Sequence, residues 1–304
     1  MNALIDHLYR VFDLTLALPY AFPALPAAPP GSRPDARVVL GPVPPALPGG
    51  LAGLDLPLIQ AHVEAGPDGA VLWVRPSARY LITGGETITV ELLHGQRPGA
   101  ARHFVQNYCL PALLIQRGLL VLHANALAGP RGAVVLMGAS GAGKSTLHAA
   151  LMRRGLPMLS DDVAVLRLEA DGRVWVLPGA RQYRLTADTV AQMTPVAEML
   201  RALPGDPRQK VVARAPEAAF QPHPVPLQAI YLIEPGDDPA LSLQPVRGTG
   251  KFGLLANGSF PPLSLTHQPA HLAAVLRVLP LAEVVRVRRP RGRWTVEELA
   301  DAIT

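Results

Sequence analysis

A glycine-rich octapeptide, Gly138–Ser145, constrains the fold of this 304-residue chain more than any other segment. It contains three glycines and ends in Lys144-Ser145. Before it comes an apolar run of strand length, residues 133–137, and after it come helix-forming residues at helical spacing, up to residue 154. This order predicts a buried strand, a tight loop and a helix that starts near the lysine. A chain with this unit is expected to be an α/β protein.

The residue types of the octapeptide indicate a phosphate-binding loop. It matches the pattern G-x-x-x-x-G-K-[ST], in which the glycines let successive backbone N–H groups turn toward a triphosphate. The positive end of the following helix adds to this attraction. We expect Lys144 to reach the β and γ phosphates and the Ser145 hydroxyl to coordinate Mg²⁺. ATP and Mg²⁺ are therefore the predicted cofactors, and the predicted contacts from the loop are Gly138, Ala139, Ser140, Gly141, Ala142, Gly143, Lys144, Ser145 and Thr146.

Two adjacent carboxylates, Asp161 and Asp162, follow a short apolar run seventeen residues after Lys144. One helix and one strand fill that interval, so a right-handed crossover would return the second strand parallel to the first and near it. The carboxyl ends of both strands would then share one edge of the sheet. We assign Asp161 to accept the proton of an attacking hydroxyl, and Asp162 with Ser145 to bind the metal. The sequence leaves the reverse assignment of the two aspartates open.

A histidine, His123, ends the apolar run 119–122, upstream of the phosphate loop. If this run neighbours the strand before the loop, His123 lies near the phosphates or near the aspartates. A single histidine in apolar surroundings is also common in a packed core. The residues alone leave both roles open.

The rest of the chain separates into a β-rich part and an α/β part. Residues 1–18 have apolar positions at helical spacing, and residues 19–57 are rich in proline and read as irregular. We predict a small antiparallel sheet from the runs 71–74, 80–82 and 88–90, a helix over 103–117, a hairpin of 163–168 with 174–177, strands at 229–233 and 284–287, and helices at 269–279 and 295–303. The predicted domains are 1–57, a helix with a proline-rich segment, 58–105, a small β-rich region, and 106–304, the catalytic domain with the phosphate loop.

Composition and charge exclude several classes of protein. With 49% hydrophobic residues, 33 prolines and 27 glycines, the chain is neither disordered nor fibrous. The net charge of +5 is small, and its densest patch, five arginines within Arg286–Arg293, is interpreted as a solvated strand end, so no nucleic-acid partner is expected. The single cysteine, Cys109, rules out a disulfide framework and a thiolate zinc cluster.

No segment predicts a membrane or export role. The longest uncharged apolar stretch, Leu14–Ser32, contains five prolines and is not expected to span a bilayer. The first residues lack the basic region of a secretory signal. We therefore expect a cytoplasmic protein.

Residues 119–168 resemble the catalytic domain of HPr kinase/phosphorylase. The resemblance is carried by Leu122-His123-Ala124, by 132–138 with the loop through Ser145, and by 154–162, an Arg-Gly step that leads to the Asp pair. It implies an α/β fold with a P-loop kinase core of the HPr kinase type, a mixed sheet flanked by helices, preceded here by a small mostly β region. It also implies transfer of phosphate from ATP to a protein serine, with His123, Lys144, Ser145, Asp161 and Asp162 at the site.

The resemblance extends over residues 80–235 to divergent HPr-kinase-like proteins of lasso-peptide and other modified-peptide clusters. Residues 116–124, Pro178-Gly179, Arg184-Leu185 and 210–234 are similar to that group. The Glu-x-Arg-Gly-x-Gly run of true HPr kinases is replaced here by residues 176–183, which argues against HPr itself as the acceptor. The implied partner is a serine-bearing peptide or protein, such as a precursor peptide. Further candidates for contacts to phosphate or acceptor are Arg181, Arg184 and Lys210.

Two other functions remain open at this stage. One is a kinase of a free small molecule such as an amino acid or a sugar. The other is a nucleotide-gated binding or regulatory module with little catalysis. A transport ATPase is disfavoured because the chain has no Leu-Ser-Gly-Gly signature. The sequence also leaves a homo-oligomeric state open.

Overall fold

The computed structural model describes residues 7–47, 49–50, 53–56, 60–66, 69–93, 95–202, 210–259 and 269–304. The chain divides into two units, Met1–Val121 with Ser259–Leu276, and Leu122–Gly258 with Arg277–Thr304. The domain boundaries drawn from composition, after residues 57 and 105, stay a prediction. Within the described ranges, no helix combines the length and apolar character needed to cross a membrane.

The described strands of the first unit form one sheet, in the order β1-β2-β3-β8-β7-β6-β5-β4. They are β1 (His7–Val11), β2 (Leu14–Leu18), β3 (Ala36–Leu40), β4 (Leu54–Leu56), β5 (Ala61–Gly66), β6 (Gly69–Val74), β7 (Ala78–Thr83) and β8 (Thr87–Leu92). The predicted antiparallel sheet of β6, β7 and β8 is confirmed.

The start of the chain corrects the prediction of a helix over 1–18. Residues 7–18 form a hairpin of β1 and β2, which turns at Phe12 and Asp13 with positive φ angles of 50° and 61°. Leu14, Leu16 and Leu18 alternate with smaller residues, and this period of two suits a strand. The prediction of irregular chain is also wrong for β3, which pairs in parallel with β8, and for β4, which pairs antiparallel with β5. The part of the prediction that covers residues 1–6 lies outside the described residues.

Helices pack on this sheet in the first unit. They are α1 (Pro98–Phe104) and α2 (Leu110–Gln116), joined by a π-helical turn over Val105–Cys109. Pro111 lies in the first turn of α2, where its missing N–H costs little. The predicted helix over 103–117 is therefore confirmed, and Cys109 is fully buried in it. The predicted helix over 269–279 is present as α6 (Pro269–Val278).

The second unit contains a mixed sheet and a smaller antiparallel one. The strands of the mixed sheet in this unit include β10 (Ala124–Gly129), β11 (Gly132–Met137), β12 (Met158–Ser160), β13 (Ala164–Leu168), β14 (Val174–Leu177), β18 (Val225–Gly236), β19 (Ser242–Pro245) and β20 (Val284–Pro290), and β9 (Leu120–Leu122) carries the chain in from the first unit. The smaller sheet has β15 (Gln182–Thr186), β16 (Met199–Ala202) and β17 (Lys210–Arg214), in the order β15-β17-β16. The helices are α3 (Lys144–Arg153), α4 (Ala187–Gln192), α5 (Gly250–Asn257) and α7 (Val296–Ile303), with a 3₁₀ turn at Glu217–Ala219.

The strand directions bring several chain segments to one edge of the mixed sheet. β11, β18 and β20 are parallel, so their carboxyl ends lie together. β10 is antiparallel to both β11 and β12, which makes β12 parallel to β11 with β10 between them. The predicted return of the strand before the Asp pair in parallel is confirmed, and β10 is the strand that separates it from β11. An α/β fold with a mixed sheet flanked by helices, preceded by a β region, is the architecture expected from the sequence.

Candidate functional site

The loop between β11 and α3 has the predicted strand–loop–helix form. Gly143 adopts a left-handed conformation with φ of 102°, and α3 begins directly after it. Gly138 has φ of 147°, and a Cβ atom there would lie 2.4 Å from the backbone oxygen of Ile233 in β18. Glycine at position 138 therefore lets the end of β11 pass close to β18 while the chain turns.

Lys144 is buried, with only 7% of its surface exposed, at the start of α3. Its Nζ donates hydrogen bonds to the backbone oxygens of Gly138, at 2.6 Å, and Ala139, at 3.3 Å. Burial lowers the pKa of this amine, and the carboxylates of Asp162 and Asp161 counteract that effect. The ammonium group thus lies within the loop, in the electric field of the two aspartates.

Strand pairing explains why His123 and the Asp pair lie beside the loop. Ala124, the first residue of β10, is paired with Met137, the last residue of β11. His123 therefore lies at the level of Gly138, where the loop begins. On the other side of β10, Ala126 pairs with Ser160, and the Asp pair follows directly. The amino end of β10, next to His123, therefore lies between the carboxyl end of β11, which leads into the loop, and the carboxyl end of β12, which leads to the aspartates.

Asp162 is fixed from several sides. Its carboxylate lies 3.4 Å from His123 Nδ1 and 3.7 Å from Arg184 Nη1. Its backbone oxygen lies 3.1 Å from the same His123 nitrogen, and its backbone N–H donates to Asn125 Oδ1 at 3.3 Å. These contacts accompany a φ of 67°, a left-handed conformation that is unusual for a residue other than glycine. A strained backbone held by its surroundings is typical of functional sites.

Asp161 has different surroundings from its neighbour. One of its carboxylate oxygens accepts a hydrogen bond from the backbone N–H of Arg184 at 2.9 Å. Burial, and after it the charge of Asp162, raise the pKa of Asp161 to about 7, against the opposing effects of Arg184 and Lys210. A carboxylate with a pKa near neutrality can both take up and release a proton under physiological conditions. Burial also lowers the pKa of His123, which favours a neutral ring.

Of the three further cations predicted from the sequence, the structure brings two to this site. The Arg184 guanidinium contacts Asp162, as described above. Lys210 is paired with Thr186 at the end of the small sheet, and its charge acts on the pKa of Asp161, His123 and Lys144.

Arg181 is held elsewhere. Its Nη2 lies 3.1 Å from Glu198 Oε1 and donates to the backbone oxygen of Ala215 at 3.0 Å. The guanidinium therefore ties the strands of the small sheet together, and the structure does not bring it to the loop and the aspartates.

The hydroxyl of Ser145, the last residue of the motif, and that of Thr146, the next residue, have different surroundings. Ser145 is half-buried in the first turn of α3, at the phosphate loop. The Thr146 hydroxyl lies 2.9 Å from the Thr189 hydroxyl, which in turn lies 3.0 Å from the Thr186 hydroxyl. Thr146 therefore connects α3 to the start of α4.

Two residues of the site escaped the sequence reasoning. Asn125 is 1% exposed and accepts the N–H of Asp162; its signal was a lone amide inside an apolar strand. Arg289, in β20, donates from Nε to the backbone oxygen of Ala142 at 2.8 Å and from Nη2 to that of Gly141 at 3.4 Å. The interpretation of the arginine patch as a solvated strand end is therefore wrong for Arg289, whose guanidinium donates to the loop. The local sequence does not predict this contact, because it forms only when the folded sheet brings β20 to the loop.

Comparison with known proteins gives a distant likeness among solved structures. No protein-family model matches the chain, and no curated protein matches it. Among solved structures, the chain is similar to the Hpr(Ser) kinase/phosphatase from Coxiella burnetii, with 15% identity over 60% of this chain and 87% of that chain and a TM-score of 0.32. A likeness this distant leaves the chemistry of the site to be inferred from its own residues.

Proposed function

We propose that the chain is an ATP-dependent kinase that transfers the γ-phosphate to a serine hydroxyl of a peptide or protein. One observation carries this proposal. The lysine of a phosphate loop lies at the same edge of the sheet as two adjacent aspartates, and burial raises the pKa of one of them to about 7. A phosphate-binding cation, a metal-binding carboxylate and a proton acceptor are the groups that phosphoryl transfer to a hydroxyl requires.

The residues of the site fit ATP and Mg²⁺. The close approach of Gly138 to Ile233 leaves room for hydrogen but not for a side chain, as in a loop that wraps its backbone around phosphates. Ser145 and Asp162 offer the hard oxygen ligands that Mg²⁺ prefers, and this ion is commonly held by one or two protein oxygens together with phosphate. When bound, Mg·ATP supplies the phosphoryl group and a metal charge that offsets the charge of the phosphates.

In the proposed reaction, the residues of the site have separate roles. Lys144 binds phosphate oxygens in place of the loop carbonyls that its Nζ now contacts. Asp161 accepts the proton of the acceptor hydroxyl at a carboxylate oxygen, and the backbone N–H of Arg184 orients that carboxylate. His123, Arg184 and Asn125 keep Asp162 in its left-handed conformation, which aims its carboxylate at the same edge of the sheet.

The class of acceptor comes from the sequence resemblance. A serine of a peptide or protein is the acceptor that the resemblance implies, and a ribosomal precursor peptide of the lasso type is the first candidate. Arg184 and Lys210 add positive charge beside Asp161, which suits an acceptor segment with acidic residues.

The direct test incubates the purified chain with Mg²⁺, γ-labelled ATP and serine-containing peptides, in parallel with free serine and sugars. We expect mass spectrometry to find one added phosphate on a peptide serine. Asp161→Asn should abolish transfer while ATP still binds, and Lys144→Ala should weaken both binding and transfer. Asp171→Asn, in the exposed turn between β13 and β14, is the matched control. Transfer by Asp161→Asn at the rate of the unaltered chain would exclude the proposed base, and phosphorylation of free serine or a sugar alone would exclude the peptide acceptor.

A further inference from the structure

A cleft opens beside the phosphate loop on the side of β18 and β20, whereas β12, the strand that leads to the aspartates, lies on the other side of β11. Its volume is about 360 Å³, within the range of small-molecule sites. The carboxyl ends of β11, β18 and β20 form it, since the three strands are parallel and end at this edge. The residues that line it are Ala139, Ser140, Gly141, Ala142, Pro235, Arg289, Arg291 and Gly292.

The two arginines give the cleft its chemical character. Arg289 donates from Nε and Nη2 to the loop carbonyls of Ala142 and Gly141, so an edge of its guanidinium faces the loop. Arg291 is exposed, and its Nε lies 3.1 Å from Asp237 Oδ1. A guanidinium is planar and stacks on aromatic faces, whereas an ammonium of the same charge does not.

We propose that this cleft takes the nucleoside end of the nucleotide, with the base packed against the Arg291 guanidinium. The proposal rests on the proposed function, in which Lys144 binds the phosphates and Ser145 and Asp162 hold the Mg²⁺ that accompanies them. The acceptor must approach on the side of Asp161, because that carboxylate takes its proton. The nucleoside therefore extends from the phosphates toward the opposite side of the loop, where the cleft lies.

The same lining predicts weak discrimination between bases. The side chains of the cleft lining that can hydrogen-bond to a base edge are those of Ser140, Arg289 and Arg291. Both arginines already contact other oxygens, Arg289 those of the loop carbonyls and Arg291 that of Asp237. Stacking is tolerant of base identity because every base has a π face. We therefore expect ATP and GTP to bind with comparable affinity.

Titration calorimetry with three probes tests the proposal: Mg·ATP, Mg·GTP and magnesium tripolyphosphate, which lacks a nucleoside. We expect Arg291→Ala to weaken ATP and GTP binding about tenfold, a typical effect of losing a stacked base, and to change tripolyphosphate binding by less than about twofold. Arg291→Lys should remain as weak as the alanine variant, since it restores charge but not the plane. Arg293→Ala is the matched control, because Arg293 belongs to the same arginine patch but is paired with Glu298 outside the cleft.

The outcomes separate the two proposals. If the unaltered chain binds none of the three probes, the proposed function and this inference both fail. The inference alone fails if the nucleotides bind and Arg291→Ala leaves their affinity unchanged, if it weakens tripolyphosphate equally, or if Arg291→Lys restores full affinity. A preference for ATP over GTP of more than about tenfold would also overturn it, since stacking alone does not read base edges.

Discussion

At the scale of single residues, the adjacent aspartates have different surroundings. The Asp162 carboxylate meets the side chains of His123 and Arg184, while the Asp161 carboxylate accepts a hydrogen bond from the backbone N–H of Arg184. Such a difference lets two carboxylates take different roles in one reaction. Here it favours Asp161 as the proton acceptor and Asp162 as the metal ligand, the assignment made from the sequence.

The raised pKa of Asp161 predicts a pH dependence of activity and of stability. The transfer rate should rise as pH increases through about 7, because the base acts only when it is unprotonated. Between its ordinary pKa of 3.8 and about 7, Asp161 binds more proton in the folded chain than in the unfolded one, so its contribution to stability is lost as pH rises. The gain in Tm on Asp161→Asn should therefore be larger at pH 8 than at pH 5, measured by differential scanning calorimetry.

Asp171→Asn is again the control for this prediction. Hydrogen bonds from Arg173 lower the pKa of the exposed Asp171, so its titration falls below this pH range. Its effect on Tm should be flat between pH 5 and pH 8. A gain for Asp161→Asn that shrinks toward pH 8 would contradict the raised pKa.

At the scale of elements, the conformation of the phosphate loop depends on contacts with two strands, β18 and β20. The approach of Gly138 to Ile233 joins β11 to β18, and Arg289 joins the loop to β20. Contacts with two neighbouring parallel strands restrict the conformations open to the loop before any ligand arrives. Such preorganisation reduces the conformational entropy lost on binding.

Replacing Gly138 tests this support. Gly138→Ala places a methyl group 2.4 Å from the backbone oxygen of Ile233, whereas Gly155→Ala, after α3, meets no atom within 4 Å although its φ of 90° is also positive. We expect Gly138→Ala to lower the free energy of unfolding by about 1–3 kcal/mol more than Gly155→Ala, because a backbone must move to relieve the contact. Urea unfolding of both variants measures the difference, and ATP affinity should fall only in Gly138→Ala. Equal losses of stability would show that the contact with Ile233 does not matter.

The same scale shows what the sequence could predict and what it could not. The strand, loop and helix around Lys144 follow from local residue types, and so do the hairpin of β13 with β14 and the helix α7. The hairpin of β1 and β2 was missed because four apolar positions at helical spacing outweighed the shorter alternation in 14–18. Arg289 and Asn125 were missed because their roles depend on strand order, and no local pattern encodes which strands become neighbours.

At the scale of the whole molecule, the second unit is assembled from two separate stretches of chain. β20 and α7 lie in the later stretch, yet β20 is paired with β18 and α7 packs on α3. Arg154, directly after α3, lies 2.8 Å from Glu297 and 2.7 Å from Asp301 of α7. The helix that carries Lys144 thus depends for its packing on residues about 150 positions later in the chain.

Two substitutions in α7 distinguish the contribution of core packing from that of the ion pair with Arg154 to the attachment of α7 to α3. Leu299 is 2% exposed in the core, and Leu299→Ala should lower the free energy of unfolding by about 2–5 kcal/mol because it leaves a cavity. Glu297→Ala removes an exposed ion pair with Arg154 and should cost less than about 1 kcal/mol. Urea unfolding monitored by circular dichroism compares the two variants. A larger loss for Glu297→Ala would show that the ion pair, and not the core, attaches α7.

The hydrogen bond from Arg289 to Ala142 joins residues 147 positions apart. A ribosome synthesises the chain from the amino end, so the glycine-rich loop leaves it long before β20 exists. Until then, the carbonyls of Gly141 and Ala142 have no arginine to accept from, and the sheet beside β18 lacks a strand. The phosphate-loop segment therefore gains this contact late in synthesis, long after the residues of its sequence motif have been made.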